Sequence, residues 1–289
     1  MLGHTGFIGQ AISNSFIRKG IELECVGRDK INLEDKSSIL KLQNLITPDC
    51  NVIMTVGVKK QFGDSVENWL RNEIIIANFV EALSKSSPAH LLYLSSAAVY
   101  GEDKLFEKKI TEDTNFDARS YYSISKINAE NILGKIARER NFPICFARPP
   151  LIYGAGDNSL GYGPTAFCYK VVHEEEIQIW GDGSELREFI WIDDLADILV
   201  RLSQNSYDGK INIVSGTSYS FADVLTALRK TSKKPVKFKF MTRTKEKTDN
   251  LFSATRLQDA VGDYKFTPLI DGIKMLYQQL EKKFYPYEY

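Results

Sequence analysis

Met1-Leu2-Gly3-His4-Thr5-Gly6-Phe7-Ile8-Gly9 opens the chain with three glycines at intervals of three. Behind them Ile8, Ile12 and Phe16 recur at helical spacing, Arg18 and Lys19 fall in the last turn, and Gly20 stands just past it. Cations near a helix C-terminus and a glycine after it suit the helix dipole and a left-handed cap, so the stretch reads as a glycine loop feeding a helix. Such a loop lets backbone approach a pyrophosphate while the helix start offers free N–H groups. By itself the signal is weak: glycine turns before helices also serve packing, and this spacing differs from the usual G-x-G-x-x-G fingerprint.

Outward from the loop, strand and helix patterns alternate. Ile21 to Val26 reads as a strand, Val52 to Val56 as a further short apolar run, and Asp64 to Leu83 as a long helix. Leu91 to Leu94 reads as a strand, Tyr121 to Arg138 as a helix and Ile144 to Ala147 as a strand. This alternation predicts an α/β fold with a doubly wound parallel sheet. After Tyr153 the texture changes, with Gly154, Gly156, Gly161, Gly163 and Pro164 crowding a loop. The expected division is one domain over 1–153, rejoined near 188–215 through Lys210 to Val214, and a smaller C-terminal lobe from 154–187 and 216–289. In that lobe Val236 to Phe240 alternates with period two, as a half-exposed strand does. Nine Lys or Arg between Arg229 and Lys247 read as a solvated face whose lysines guard an edge strand.

Composition narrows the function. The 289 residues are 43% hydrophobic and 26% charged, ordinary for a globular chain with a sizeable core, which excludes disordered and fibrous classes. Lys plus Arg and Asp plus Glu each number 37, so no bulk field draws nucleic acid or an anionic membrane, and an anionic ligand must be held locally. The cysteines at 25, 50, 145 and 168 are scattered without metal-ligand spacing and read as small hydrophobes, so no metal is expected. No run approaches ~18 apolar residues and no basic-then-apolar leader opens the chain, which points to the cytoplasm.

Tyr122 and Lys126 are four apart on an expected helix and share a face. A tyrosine, with a reference pKa of about 10, needs a nearby cation to act as a base near neutrality. The preceding strand runs into Leu94-Ser95-Ser96-Ala97-Ala98-Val99-Tyr100-Gly101, which places hydroxyls at the C-terminal sheet edge where ligands of such folds bind. Here the sequence resembles the extended short-chain dehydrogenase/reductase family, in its NAD(P)-dependent nucleotide-sugar epimerase/dehydratase group. The resemblance runs in order through GHTGFIG at Gly3, LSSAAVYG at Leu94, YSISKINAE at Tyr122, ARPPLIYGAG at Ala147 and IWGDGSELREFIWIDDLA at Ile179.

It implies a Rossmann-like fold and a nucleotide-sugar substrate bound by the smaller lobe. It implies Ser96 as catalytic hydroxyl, Tyr122 as acid/base, and Lys126 as the residue that holds the nicotinamide ribose and lowers the pKa of the tyrosine. Asn72 matches an asparagine with a structural role. The cofactor site so implied comprises Gly3, Thr5, Gly6, Phe7, Ile8, Gly9, Arg28, Val56, Gly57, Tyr122, Lys126 and Pro149. The substrate site comprises Ser96, Trp180, Arg187 and Arg243. Arg187 is expected to grip phosphate through its planar fork of donors. Trp180 serves equally as core packing or as a stacking surface.

Two departures bear on the reaction. Dehydratases of the family carry an Asp-Glu pair where this chain has Ala97 and Ala98, so elimination lacks its carboxylates. NAD enzymes place an acid at the end of the second strand, where this chain has Gly27-Arg28. That favours the 2′-phosphate of NADP, with NAD the alternative because Asp29 follows. Asp35 either approaches adenine or caps a helix. The leading expectation is an epimerase that transiently oxidises the sugar at C4. The alternatives are an NADPH-dependent 4-ketosugar reductase and an idle NADP-binding regulator. Only Met1 and Leu2 precede the glycine loop where the resembling proteins have a central strand, so the natural start is expected upstream. The helices at 64–83 and 121–138 are expected to pair across a homodimer. In the first, Val66, Leu70, Ile74, Ala77 and Val80 form one apolar stripe while Ile75, Phe79 and Ala82 lie off it.

Overall fold

A computed structural model describes residues 1–158 and 160–284, so the last five residues of the expected lobe lie outside it. The elements in chain order are α1 (Phe7–Arg18), α2 (Ser38–Leu45), β1 (Asn51–Met54), α3 (Val66–Leu83), β2 (His90–Leu94), α4 (Tyr121–Arg140), β3 (Ile144–Arg148) and β4 (Leu151–Tyr153). They continue with α5 (Pro164–Val172), β5 (Ile177–Trp180), β6 (Leu186–Arg187), β7 (Phe189–Trp191), α6 (Ile192–Gln204), β8 (Gly209–Asn212), β9 (Tyr219–Ser220), α7 (Phe221–Thr231), β10 (Phe238–Met241), α8 (Thr255–Val261) and α9 (Leu269–Phe284).

The central sheet is parallel in the order β1-β2-β3-β8. Both faces are covered, and every residue of β2 and β3 is buried, as a doubly wound sheet requires. Helices α1 and α6 pack together, as do α3 and α4, and two clusters of buried side chains fill the layers they form with the sheet. The return of the chain to the sheet is β8, in register with Cys145 to Arg148.

The strand expected over Ile21 to Val26 is not formed: only Val26 bridges to the sheet, in parallel with Leu2, which bridges Met54 on its other side. Val26 N–H donates to the Met1 carbonyl, and Leu2 N–H to that of Ile53. A ladder needs a backbone opposite each residue, and between Ile21–Val26 and β1 this chain supplies only Met1 and Leu2. Both are nonetheless buried, Leu2 to 4% exposure.

Capping residues set the helices that matter. Ser65 accepts from Asn68 N–H to start α3, and Ser120 with Ser123 forms a capping box at the start of α4. Asn141, in the left-handed region at φ 54, ends α4. On α3 the off-stripe residues Ile75, Phe79 and Ala82 are the buried ones, whereas Val66, Leu70 and Ile74 are 46–49% exposed. On α4, Ile124 and Ile132 are exposed but Ile136 is buried. The strand expected at 236–240 starts two residues late, at Phe238, where it pairs with Ile177 of β5. Lys237 and Lys239 beside it are exposed.

Candidate active site

The C-terminal ends of the parallel strands open onto a cavity of about 860 Å³. Gly3, Thr5, Gly6, Phe7, Ile8, Gly9, Gly57, Ser96, Tyr122, Lys126, Pro149 and Arg187 line it. Four of the expected residues do not: Arg28, Val56, Trp180 and Arg243 lie outside the wall.

The glycine loop is built by close approach. Gly3 has φ +91, and a Cβ at Gly9 would run into the Gly3 carbonyl oxygen. Gly6 takes the N-cap position of α1 with no side-chain cap, so the first N–H groups of the helix face the cavity without an internal acceptor. That uncapped terminus beside a side-chain-free loop fits a dinucleotide pyrophosphate.

Ser96 follows β2 and accepts from Ala98 N–H at 3.2 Å, and it lines the same cavity as Tyr122. Lys126, one turn further along α4 and 8% exposed, donates to the Leu94 carbonyl at 2.8 Å and to the Tyr93 hydroxyl at 3.2 Å. Its Nζ lies 5.8 Å from the centre of the Tyr122 ring. Burial pushes the Tyr122 phenol up to about 12, with Ser96 opposing, and burial pushes Lys126 down to about 8, with Glu130 opposing. The Lys126 ammonium is engaged by Leu94 and Tyr93 on the face of α4 that carries Tyr122. Asn72 has the structural part expected of it, since its side chain donates to the Val58 carbonyl and accepts from Val58 N–H at 2.7 Å.

The expected substrate residues behave differently. Arg187 is not a free fork: it donates to the carbonyls of Leu186 and Thr248, to Glu185 Oε1 at 2.9 Å and to Thr248 Oγ1. Arg243 packs against Gly181 and faces Glu185 at 3.6 Å, outside the cavity. Trp180 is 42% exposed on β5, so it is not a core residue. The sequence reading missed Lys59 and Lys60, which line the cavity opposite Asp157 and Glu102 and pair with them. Their signal was present: Val58-Lys59-Lys60 follows a short apolar run, and loops after strands carry ligands in such sheets.

With this geometry, the sequence model of the NAD dependent epimerase/dehydratase family matches residues 1–214. The chain belongs to that family. Among curated relatives, a GDP-6-deoxy-D-talose 4-dehydrogenase of Aggregatibacter actinomycetemcomitans is 25% identical over 288 residues, covering 96% of this chain and 95% of its own. A GDP-L-fucose synthase of Sinorhizobium fredii is 25% identical over 239 residues, covering 77% and 76%. Among solved structures, a UDP-glucose 4-epimerase of Thermotoga maritima, with UDP-glucose bound, superposes with a TM-score of 0.83 at 19% identity over 98% of each chain. The last comparison shows the shared fold. The family name spans epimerases and dehydratases, so membership fixes NAD(P)-dependent chemistry without choosing the reaction.

Proposed function

We propose that the chain is an NADPH-dependent reductase of a nucleotide 4-ketosugar. The observation that carries this is that Ser96, Tyr122 and Lys126 line one cavity with the glycine loop, a proton donor and a hydroxyl beside the dinucleotide place. When bound, the nicotinamide supplies hydride. Tyr122 delivers its proton to the oxygen at C4, Ser96 orients that oxygen, and Lys126 places a positive charge below the phenol as it gives the proton up. Ala97 and Ala98 leave no carboxylate at the positions elimination would use, which disfavours a dehydratase. We place this reading ahead of the epimerase expected from sequence because the relative that spans nearly the whole chain carries a 4-dehydrogenase name.

The epimerase reading keeps one specific support. A side chain at Gly27 would meet the Asp29 carboxylate, so Asp29 fills the place where NAD enzymes of the family put their acid. The nucleotide sugar is assigned to the cleft between the 1–153 unit and the lobe of 154–187 and 216–289. The four cysteines are free, as a reducing cytoplasm keeps them. No helix among the described residues is long and apolar enough to cross a membrane. Purified protein mixed with a nucleotide 4-keto-6-deoxyhexose is expected to consume NADPH, whereas no consumption would favour the idle-regulator reading.

Cofactor choice is expected to follow charge. NADPH should bind more tightly than NADH, and the double variant Gly27→Asp with Arg28→Ala should reverse that order by removing the phosphate's partner and adding an anion. Titration showing wild type already preferring NADH would overturn the assignment of Arg28.

The exposed stripe Val66, Leu70, Ile74 of α3 lies beside exposed Tyr121, Ile124 and Ile132 of the adjoining α4. This surface is assigned to a homodimer joined as a four-helix bundle through 64–83 and 121–138. Light scattering should find a dimer at micromolar concentration, and Leu70→Glu with Ile124→Glu should yield a monomer. A monomeric wild type would remove the assignment.

A further inference from the structure

Glu34 joins two arginines from different parts of the chain. Its Oε1 accepts from Arg28 Nη2 at 3.1 Å and from Arg71 Nη2 at 2.9 Å, and its Oε2 accepts from Arg71 Nε at 3.2 Å. Arg28 follows the bridge residue Val26, and Arg71 projects from the second turn of α3. The Arg71 contact is a two-bond fork, the geometry in which a guanidinium also holds phosphate.

The trio lies outside the cavity wall, on the side of the glycine loop. A Cβ on Gly27 would lie 3.2 Å from His4 of the glycine loop, so Arg28 starts beside that loop. Arg71 adjoins Asn72, which clamps Val58 next to the cavity residue Gly57. Glu34 is thus set between two cations, with Asp29 against Gly27 on the same turn. The side chains are 66%, 25% and 37% exposed for Arg28, Glu34 and Arg71, so the carboxylate is reachable by a competing anion rather than sealed in. The Arg71 hydrogen bond holds the Glu34 carboxyl below its ordinary range, so the carboxylate is ionised at neutral pH.

We infer that Glu34 is an internal counter-ion occupying the place of the adenosine 2′-phosphate of NADP, and that Arg71 is the second cation of that subsite. The phosphate binds by displacing the carboxylate from the two guanidiniums and is then repelled by it at close range. Glu34 thus lowers affinity for NADP and leaves NAD almost untouched, because NAD brings no charge to that position. The preference of the chain is set by the balance of three side chains rather than by Arg28 alone. This rests on the reading that the cleft takes NAD(P).

The test is calorimetric titration of NADPH and NADH into wild type, Glu34→Gln and Arg71→Gln, with melting curves to confirm folding. Glu34→Gln should tighten NADPH about fivefold to tenfold and change NADH less than twofold, while Arg71→Gln should weaken NADPH about tenfold and NADH less than threefold. If Glu34 merely ties its loop to α3, Glu34→Gln will leave NADPH unchanged or weaken both dinucleotides together, and the inference falls while the reductase reading stands. Failure of wild type to bind either dinucleotide would overturn both.

Discussion

Tyr122→Phe is expected to cut turnover by at least about 10²-fold while leaving nucleotide binding and melting temperature nearly unchanged, the usual worth of a positioned acid. The ring stays in place, half-buried at the start of α4, and only the proton carrier goes. The partners on either side remain: Ser96 keeps its contact with Ala98 N–H, and Lys126 keeps those with Leu94 and Tyr93. Because none of these depends on the phenol oxygen, lost activity with intact binding isolates the proton transfer. Turnover within a factor of a few of wild type would remove Tyr122 from the chemistry.

Glu130→Ala is expected to be the most damaging single change for stability. Glu130 is 4% exposed and Arg148 is fully buried, and the guanidinium donates to both carboxylate oxygens. Ser95 donates to Glu130 as well, and Arg148 reaches the Tyr100 hydroxyl at 2.7 Å, which donates in turn to Asn212. Removing the carboxylate leaves a buried guanidinium without its counter-charge, a loss of about 3–5 kcal/mol against a total stability of about 5–15 kcal/mol. Glu139→Ala on the same helix breaks only the exposed Lys135–Glu139 pair and should cost less than about 0.5 kcal/mol. Urea unfolding of both variants measures the contrast, and equal small losses would show that Arg148 finds other compensation. The carboxylate of Glu130 also supports the charge of Lys126 one turn back, so a folded Glu130→Ala protein should lose activity too.

How far the sequence could be read follows from how local each signal is. The helices at 64–83 and 121–138 were legible because stripes and caps lie within a few residues, and the observed bounds shift by two residues at one end of each. The grouping of Ser96, Tyr122 and Lys126 was legible from motif order. Ile21 to Val26 carries a strand pattern, yet strand formation depends on a partner that the pattern does not contain. Arg187 illustrates the other limit: its place at the cavity was readable, but Glu185 and Thr248 engage its donors, a fact of tertiary structure. Glu130 and Arg148 stood in two separate motifs, and only the fold makes them one ion pair. Glu34 and Arg71 are joined in the same way across 37 positions.

The direct test of the central claim uses NADPH carrying deuterium on the transferable carbon, incubated with the enzyme and a nucleotide 4-keto-6-deoxyhexose, with the product read by NMR. The account predicts one deuterium at C4 of a single 4-hydroxy epimer and one NADPH consumed per sugar. Interconversion of two C4 epimers of a nucleotide sugar without net consumption of cofactor, and with no label entering the sugar, would contradict it.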